Sequence, residues 1–429
     1  MRHRYLKLFF IIALILTNLA IFSSSVNAQW SIPGDTVGAF AVTSIGNVVI
    51  SAKAGVSYST NFGSTWNFTV NGLPYESWIS DYARGLYTKG SAVFLGINVK
   101  GTPVGSVGVY KSLDSGKSWA PSANGMLNGT LVYCFTQKDG NIFAGTEDGV
   151  YMSTNDGANW FKPSTVLDEK SISCLCVNGN TLFAGILGAS VTTNLGIYAS
   201  TNNGQTWNLV NYGIPPQTPI YAMVNYNGYI FSTASDGRVF RTTNNGASWI
   251  LLNDGITTFY NRVYAIAKFG NNMIVGTEDG IFLTTNQGAH WVSHNQGVRD
   301  DAEFDYNAIT QCGNYVFAVS NIGIYRRDLN QVSIQYISTI ASQNYKLEQN
   351  YPNPFNPTTK IRFELPKSSF VSLKIYNSLG KEVDELINEK LSAGIFEETF
   401  NASMLSSGVY FYKLTTNEFA ETKKMLLVK

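Results

Sequence analysis

The chain has 429 residues, of which 44% are hydrophobic, 13% aromatic and only 14% charged, with a formal net charge of +1. Its length exceeds one ordinary compact core, and the near-zero charge removes any general electrostatic pull toward nucleic acid or an anionic membrane surface. Three His and four Cys argue against a His/Cys metal centre, and no motif for a cofactor is present.

Residues 1–28 predict a signal peptide. Arg2, Arg4 and Lys7 form a positive n-region, Leu8 to Phe22 an apolar run, and Ser23 to Ala28 a small-residue stretch with Val26 and Ala28 at the −3 and −1 positions. Thr17 and Asn18 interrupt the apolar run, which is short for a full span, so cleavage before Gln29 is favoured over anchoring. Nothing later is apolar and long enough to cross a bilayer as a helix.

From residue 29 to 337 the chain repeats itself. One box recurs as GVSYSTNFGSTW (55–66), GVYKSLDSGKSW (108–119), GVYMSTNDGANW (149–160), GIYASTNNGQTW (196–207), GRVFRTTNNGASW (237–249) and GIFLTTNQGAHW (280–291). The Trp anchors are 41 residues apart between Trp119 and Trp160 and 53 apart between Trp66 and Trp119, the length of one four-stranded propeller blade. A seventh unit, Tyr306 to Arg327, lacks box and Trp, so Trp30 is expected to supply its outer strand, with Val332 to Ile337 as the rival donor. Within a box, Asn155 should bond the turn backbone and Gly157 supply a positive φ, leaving Trp160 to pack between repeats. Nine residues before the apolar anchors Phe94, Phe143, Phe183, Phe231, Ile274 and Phe317 stand small residues: Gly85, Cys134, Cys174, Ala222, Ala265 and Ala308. The crowding of a propeller's innermost strands accounts for them. Cys134 and Cys174 therefore read as small core residues, and four free thiols are expected despite the even count.

The box resembles the BNR or Asp-box repeat of sialidases, sortilin-type receptors and photosystem II assembly factor-like propellers, over roughly residues 30 to 336. The resemblance implies a seven-bladed β-propeller with the boxes on the face opposite the ligand site; it does not imply one activity. The acidic position is Asp only at Asp114 and Asn at Asn61, Asn155, Asn202, Asn244 and Asn286, so the boxes read as scaffold. The sialidase Arg-Ile-Pro signature appears as Ser31-Ile32-Pro33, without the Arg.

Candidate binding residues lie on the segments between blades: YESWISDYAR (75–84) with Trp78, Tyr82 and Arg84; TTFYNR (257–262) with Tyr260 and Arg262; and RDDAEFDY (299–306) with Asp301, Glu303 and Asp305. An aromatic on an exposed rim suits stacking on a sugar or peptide, though Trp78 also fits as packing between loop and blade. The acidic run suits a carboxylate pair or Ca²⁺, or is simply solvated. The residues just before the small register, Arg84, Tyr133, Ser173, Tyr221, Tyr264 and Asn307, should lie near the channel mouth.

Residues 338–349 read as a linker and 350–429 as an immunoglobulin-like β-sandwich, which makes the whole chain all-β. NYPNPFNPTTKIRFELP (350–366) opens it, its prolines forbidding helix and central strand. The strands KIRFEL, SFVSLKIYN, EVDELI, IFEETF, GVYFYKL and KKMLLVK follow, alternating apolar and polar residues. These residues, with the Asn377-Ser378-Leu379-Gly380 turn, Gly408-Val409-Tyr410 and the basic-apolar tail, resemble the type IX secretion C-terminal sorting domain. The resemblance implies Sec export, passage through the outer membrane by the type IX machinery, and a place outside the cell or on its surface. The functional reading is a non-catalytic binding or adhesion propeller for an extracellular glycan or protein, with a sialidase-like or other glycoside hydrolase as the alternative.

Overall fold

The structure is a computed structural model. It describes residues 30–31, 38–53, 55–74, 83–97, 108–127, 129–189, 194–256, 262–270, 272–295, 298, 306–329, 335–338, 344–391 and 393–429. The predicted signal peptide lies outside them.

Among the described residues nine antiparallel sheets form, seven of them blades. The blades open with the inner strands Ala41–Ile45, Ala83–Lys89, Val132–Lys138, Lys170–Asn178, Ile220–Tyr226, Val263–Phe269 and Tyr306–Cys312. Each inner strand packs against the next, and the last packs against the first, closing a ring. The second strand of every blade is sandwiched by neighbours on both faces, so it reads as a continuous buried run rather than an alternating one; Ile142 to Thr146 are all buried. Inner hairpins turn on pairs such as Asp139-Gly140, with φ of 51° and 79°, the left-handed pair that matches strand twist.

Each box is a hydrogen-bonded knot, and its centre is a hydroxyl that ends the third strand. In blade 3, Ser153 Oγ accepts from the Gly157 N–H (2.9 Å) and donates to Asn155 Oδ1 (3.1 Å), while Asn155 Oδ1 accepts from the Asn159 N–H (2.8 Å). The same glycine-to-hydroxyl bond recurs at Ser59, Ser112, Ser200, Thr242 and Thr284. The turn needs two left-handed residues, so Asp156 (φ 54°) precedes Gly157 (φ 83°). The first of these then latches the preceding blade: Asp156 takes Lys89 at 2.5 Å, Asn203 takes Lys138 at 2.6 Å and Asn245 takes Asn178 at 2.8 Å.

The small register answers to blade-on-blade contact. Cys134 pairs with Gly145 and Cys174 with Gly185, and a Cβ on either glycine would meet the facing cysteine sulfur at 2.5 Å. On their other side the two glycines abut Ile172 and Ile220 of the next blade. Ala41, paired with Ala52, is the same position in blade 1. All four cysteines are free. Burial drives the Cys174 and Cys176 thiols up to about 12.

Ring closure is by the N-terminal segment. Ser31 bridges Arg326 through both backbone bonds, at 2.9 and 2.8 Å. Trp30 is 2% exposed among Tyr306, Tyr325 and Ile281, and its indole N–H donates to the His294 carbonyl at 2.8 Å.

The rival donor goes elsewhere. Gln335–Ser338 pairs with Gly394–Asn401 in the sandwich, in a sheet that also holds Thr358–Leu365 and Lys346–Leu347. Residues 335–338, all but the last expected within the propeller, and Lys346–Leu347, expected within the linker, thus form the two edge strands of this sheet. The second sheet runs Glu382–Leu391, Ser369–Asn377, Gly408–Thr415 and Ala420–Leu427. Alternation puts Ile361, Phe363 and Leu365 of one sheet against Val371, Leu373 and Ile375 of the other. The proline-rich segment seals one end: buried Asn350 donates from its backbone to Tyr412 Oη (2.8 Å) and from Nδ2 to Thr359 Oγ1 (2.9 Å), and Phe355 bonds the last strand at Leu426 and Val428.

Candidate functional site

In six of the seven blades the pairing of the inner strand skips one residue, at the same register each time. Ala83 and Gly85 are paired but Arg84 is not; Tyr133, Ser173, Tyr221, Tyr264 and Asn307 are passed over likewise. Such a bulge turns one side chain out of the ladder. In blade 1, Phe40 stands at that register, immediately before Ala41. Every blade thus presents one residue at the end of the ring opposite the boxes, and two neighbouring pairs in this circle touch. Tyr221 and Tyr264 rings lie 5.1 Å apart, tilted 44°. The Arg84 guanidinium sits 5.8 Å from the Phe40 ring. Ser173 Oγ donates to the Ile220 carbonyl at 2.5 Å.

Two patches result, one cationic and one in which a carboxylate and a guanidinium are paired. At blades 1 and 2, Lys53 Nζ and Arg84 flank Phe40, and Lys53 donates to the Asn321 carbonyl at 3.2 Å. At blades 5 and 6, Tyr264 Oη donates to Glu278 Oε1 at 2.7 Å. Arg262 Nη1 reaches the same oxygen at 3.3 Å and Tyr264 Oη at 3.2 Å. Glu278 is 8% exposed, and its Oε2 is buried with no hydrogen-bond donor among the described residues. The hydrogen bond to Tyr264, with the charges around it, raises Arg262 further above its ordinary range, so it stays cationic.

Glu278 escapes a reading of the inter-blade segments because it lies on the turn after the second strand. The turn is tight: Thr277 Oγ1 donates to the Gly280 carbonyl and accepts from the Asp279 N–H. The available signal is Gly-Thr-Glu-Asp-Gly, present at 145–149 and again at 276–280. In blade 3 the equivalent Glu147 accepts from the Leu131 N–H at 3.4 Å.

Of the expected site residues, Arg84, Tyr133, Tyr221, Arg262 and Tyr264 belong to this mouth. Trp78, Tyr82, Tyr260, Asp301, Glu303 and Asp305 lie outside the described residues. Arg241 and Arg326 sit on third strands and reach the Gln287 and Phe62 carbonyls of adjacent boxes. Arg327 is buried. Among the described residues no three His, Cys, Asp or Glu come together as a metal site, and no helix is long and apolar enough to cross a membrane.

Residues 349–429 match the family of secretion system C-terminal sorting domains. No curated protein matches the chain in sequence. Solved structures share the ring. YCF48 from Cyanidioschyzon merolae is 13% identical, with a TM-score of 0.53, covering 71% of this chain and all of that one. YCF48 bound to a D1 peptide is 14% identical (TM-score 0.52; 70% and 96% covered). The GH74 xyloglucanase from Xanthomonas campestris is 14% identical (TM-score 0.54; 78% of this chain), and this chain spans 59% of that enzyme. These likenesses establish a β-propeller. The chain therefore joins a propeller to a type IX sorting domain, and its destination is the cell surface or the extracellular space.

Proposed function

We propose that the propeller is a non-catalytic binding module and that its axial mouth holds an extracellular glycan or protein ligand. The observation that carries this reading is the repeated bulge: in six of the seven blades one side chain leaves its ladder at a single register, and with Phe40 at the matching place in blade 1 four of the seven positions are aromatic. A purely structural ring has no need to place Tyr133, Tyr221, Tyr264 and Arg84 there. One solved relative of this fold is described with a peptide bound and another as a xyloglucanase, so the same ring serves both chemistries.

The second reading, glycoside hydrolysis, draws on the Tyr264–Glu278 contact, because a tyrosine beside a carboxylate is a nucleophile pair in sialidases. That chemistry also calls for clustered arginines. Arg262 alone joins the pair among the described residues, and Arg84 lies against Phe40.

The deciding experiment screens the exported chain without its sorting domain on glycan and peptide arrays, beside Arg84→Ala, Tyr133→Ala and a box control, Asn155→Ala. Loss of binding in the mouth variants, with the box control still binding, is the expected result. Binding unchanged in both mouth variants overturns the placement, and release of reducing sugar from an array hit moves the assignment to the hydrolase.

A further inference from the structure

Glu278, Tyr264, Tyr221 and Arg262 form a compact set whose charges nearly cancel: one carboxylate with one guanidinium on its Oε1. We infer that this set is a subsite for an uncharged sugar ring, in which a ligand hydroxyl donates to Glu278 and the ring stacks on Tyr221. The inference rests on the mouth being a binding site and adds the chemical class.

Three features favour that class. First, Glu278 is more than nine-tenths buried, with Oε1 doubly engaged and Oε2 lacking a donor. A buried acceptor without a donor is costly, and a hydroxyl supplies the donor without adding charge. Second, the cation here is already taken. An acidic sugar needs a free guanidinium, whereas Arg262 is tied to Glu278, whose negative charge opposes a second anion. Third, Tyr264 is held by its own hydrogen bond, and the half-buried Tyr221 meets it at 44°, leaving an aromatic corner of fixed shape. A sugar's C–H face packs on one wall of such a corner while its hydroxyls reach the polar tip of the other.

The test measures calorimetric binding of the chain without its sorting domain to xyloglucan, mannan and chitin oligosaccharides, to sialyllactose, and to array-positive peptides. Binding of a neutral oligosaccharide, weakened about tenfold by Glu278→Gln and by Tyr221→Ala and little by the box control Asn155→Ala, is expected. Tyr221→Ala leaves the Tyr264–Glu278 bond in place and guards against misfolding of the first variant. Neutral sugar bound equally well by both variants overturns this subsite yet leaves a binding propeller. Preference for sialyllactose or a peptide overturns the uncharged class while the mouth stands. If none of these ligands binds, the subsite and the binding reading both fall.

Discussion

Ser153 does more for its box than the Asn or Asp that marks the motif. Its hydroxyl is buried and closes the turn through the Gly157 N–H, a bond repeated in five other boxes. Ser153→Ala leaves that N–H buried without an acceptor and should cost about 1–3 kcal/mol in denaturant unfolding. A loss no larger than that of an exposed Ser→Ala change elsewhere contradicts the role. His294 sets a pH dependence. Burial first, and the Arg327 charge second, hold its imidazole well below 6.5 in the folded chain. The unfolded chain protonates His294 near pH 6.5 and the folded chain does not, so acid favours unfolding. This contribution is complete above about pH 6.5 and is lost as pH falls below it, by up to about 1.4 kcal/mol per pH unit. Comparing melting from pH 7.5 to 5 with that of His294→Gln isolates it; identical slopes would exclude His294 as the cause.

At the scale of elements, the ring depends on a non-covalent clasp. Trp30 and Ser31 complete blade 7 in the way that each box Trp serves its own blade, but they arrive from the far end of the chain. Trp30→Ala should cost about 3–5 kcal/mol, the usual range for emptying a buried tryptophan site. Trp66→Ala should cost less, because Trp66 is half-buried and its indole N–H has no acceptor among the described residues. Chemical denaturation of the two variants gives the comparison, and the reverse order would mean that the clasp is dispensable. A second recurring element holds four of the six box Trp from behind. Asn71-Gly72, Asn124-Gly125, Tyr212-Gly213 and Asp254-Gly255 accept the backbone N–H of Trp119, Trp160, Trp249 and Trp291. A Cβ at Gly72 would lie 1.8 Å from the Trp119 carbonyl oxygen, so only glycine fits.

For the whole molecule, the two domains touch. Val292, on the outer strand of blade 6, is 5% exposed and packs into the sandwich core, whereas Ile250 at the same place in blade 5 is 48% exposed. Removing the sorting domain therefore uncovers an apolar edge without opening the ring. A chain truncated after Leu329 should fold with its blades intact and accumulate in the periplasm of a type IX-competent host. Residues 335–429 fused to a Sec-exported passenger should carry it through the outer membrane, and a fusion beginning at 350 should do so poorly, because it lacks Gln335–Ser338 and Lys346–Leu347. Fractionation and surface proteolysis read all three. Surface delivery of the truncated chain would remove the routing role from the C-terminal domain.

Periodicity alone determined the blades, the boxes, the small register and the sandwich strands, because each depends on local turn chemistry or strand alternation that repeats along the chain. It also reached the mouth residues Arg84, Tyr221 and Tyr264, since every blade sets the same offset from a small residue. It did not reach Glu278, which gains meaning only when Tyr264, fourteen residues earlier, bends back onto it across a hairpin. Nor did it settle where Gln335–Ser338 belongs. Two sheets, the seventh blade and the sandwich, each offered an open edge to that short strand, and its own residues suit either. The tertiary structure decided between them: Trp30 and Ser31 already occupy the blade's edge, so the strand completes the sandwich.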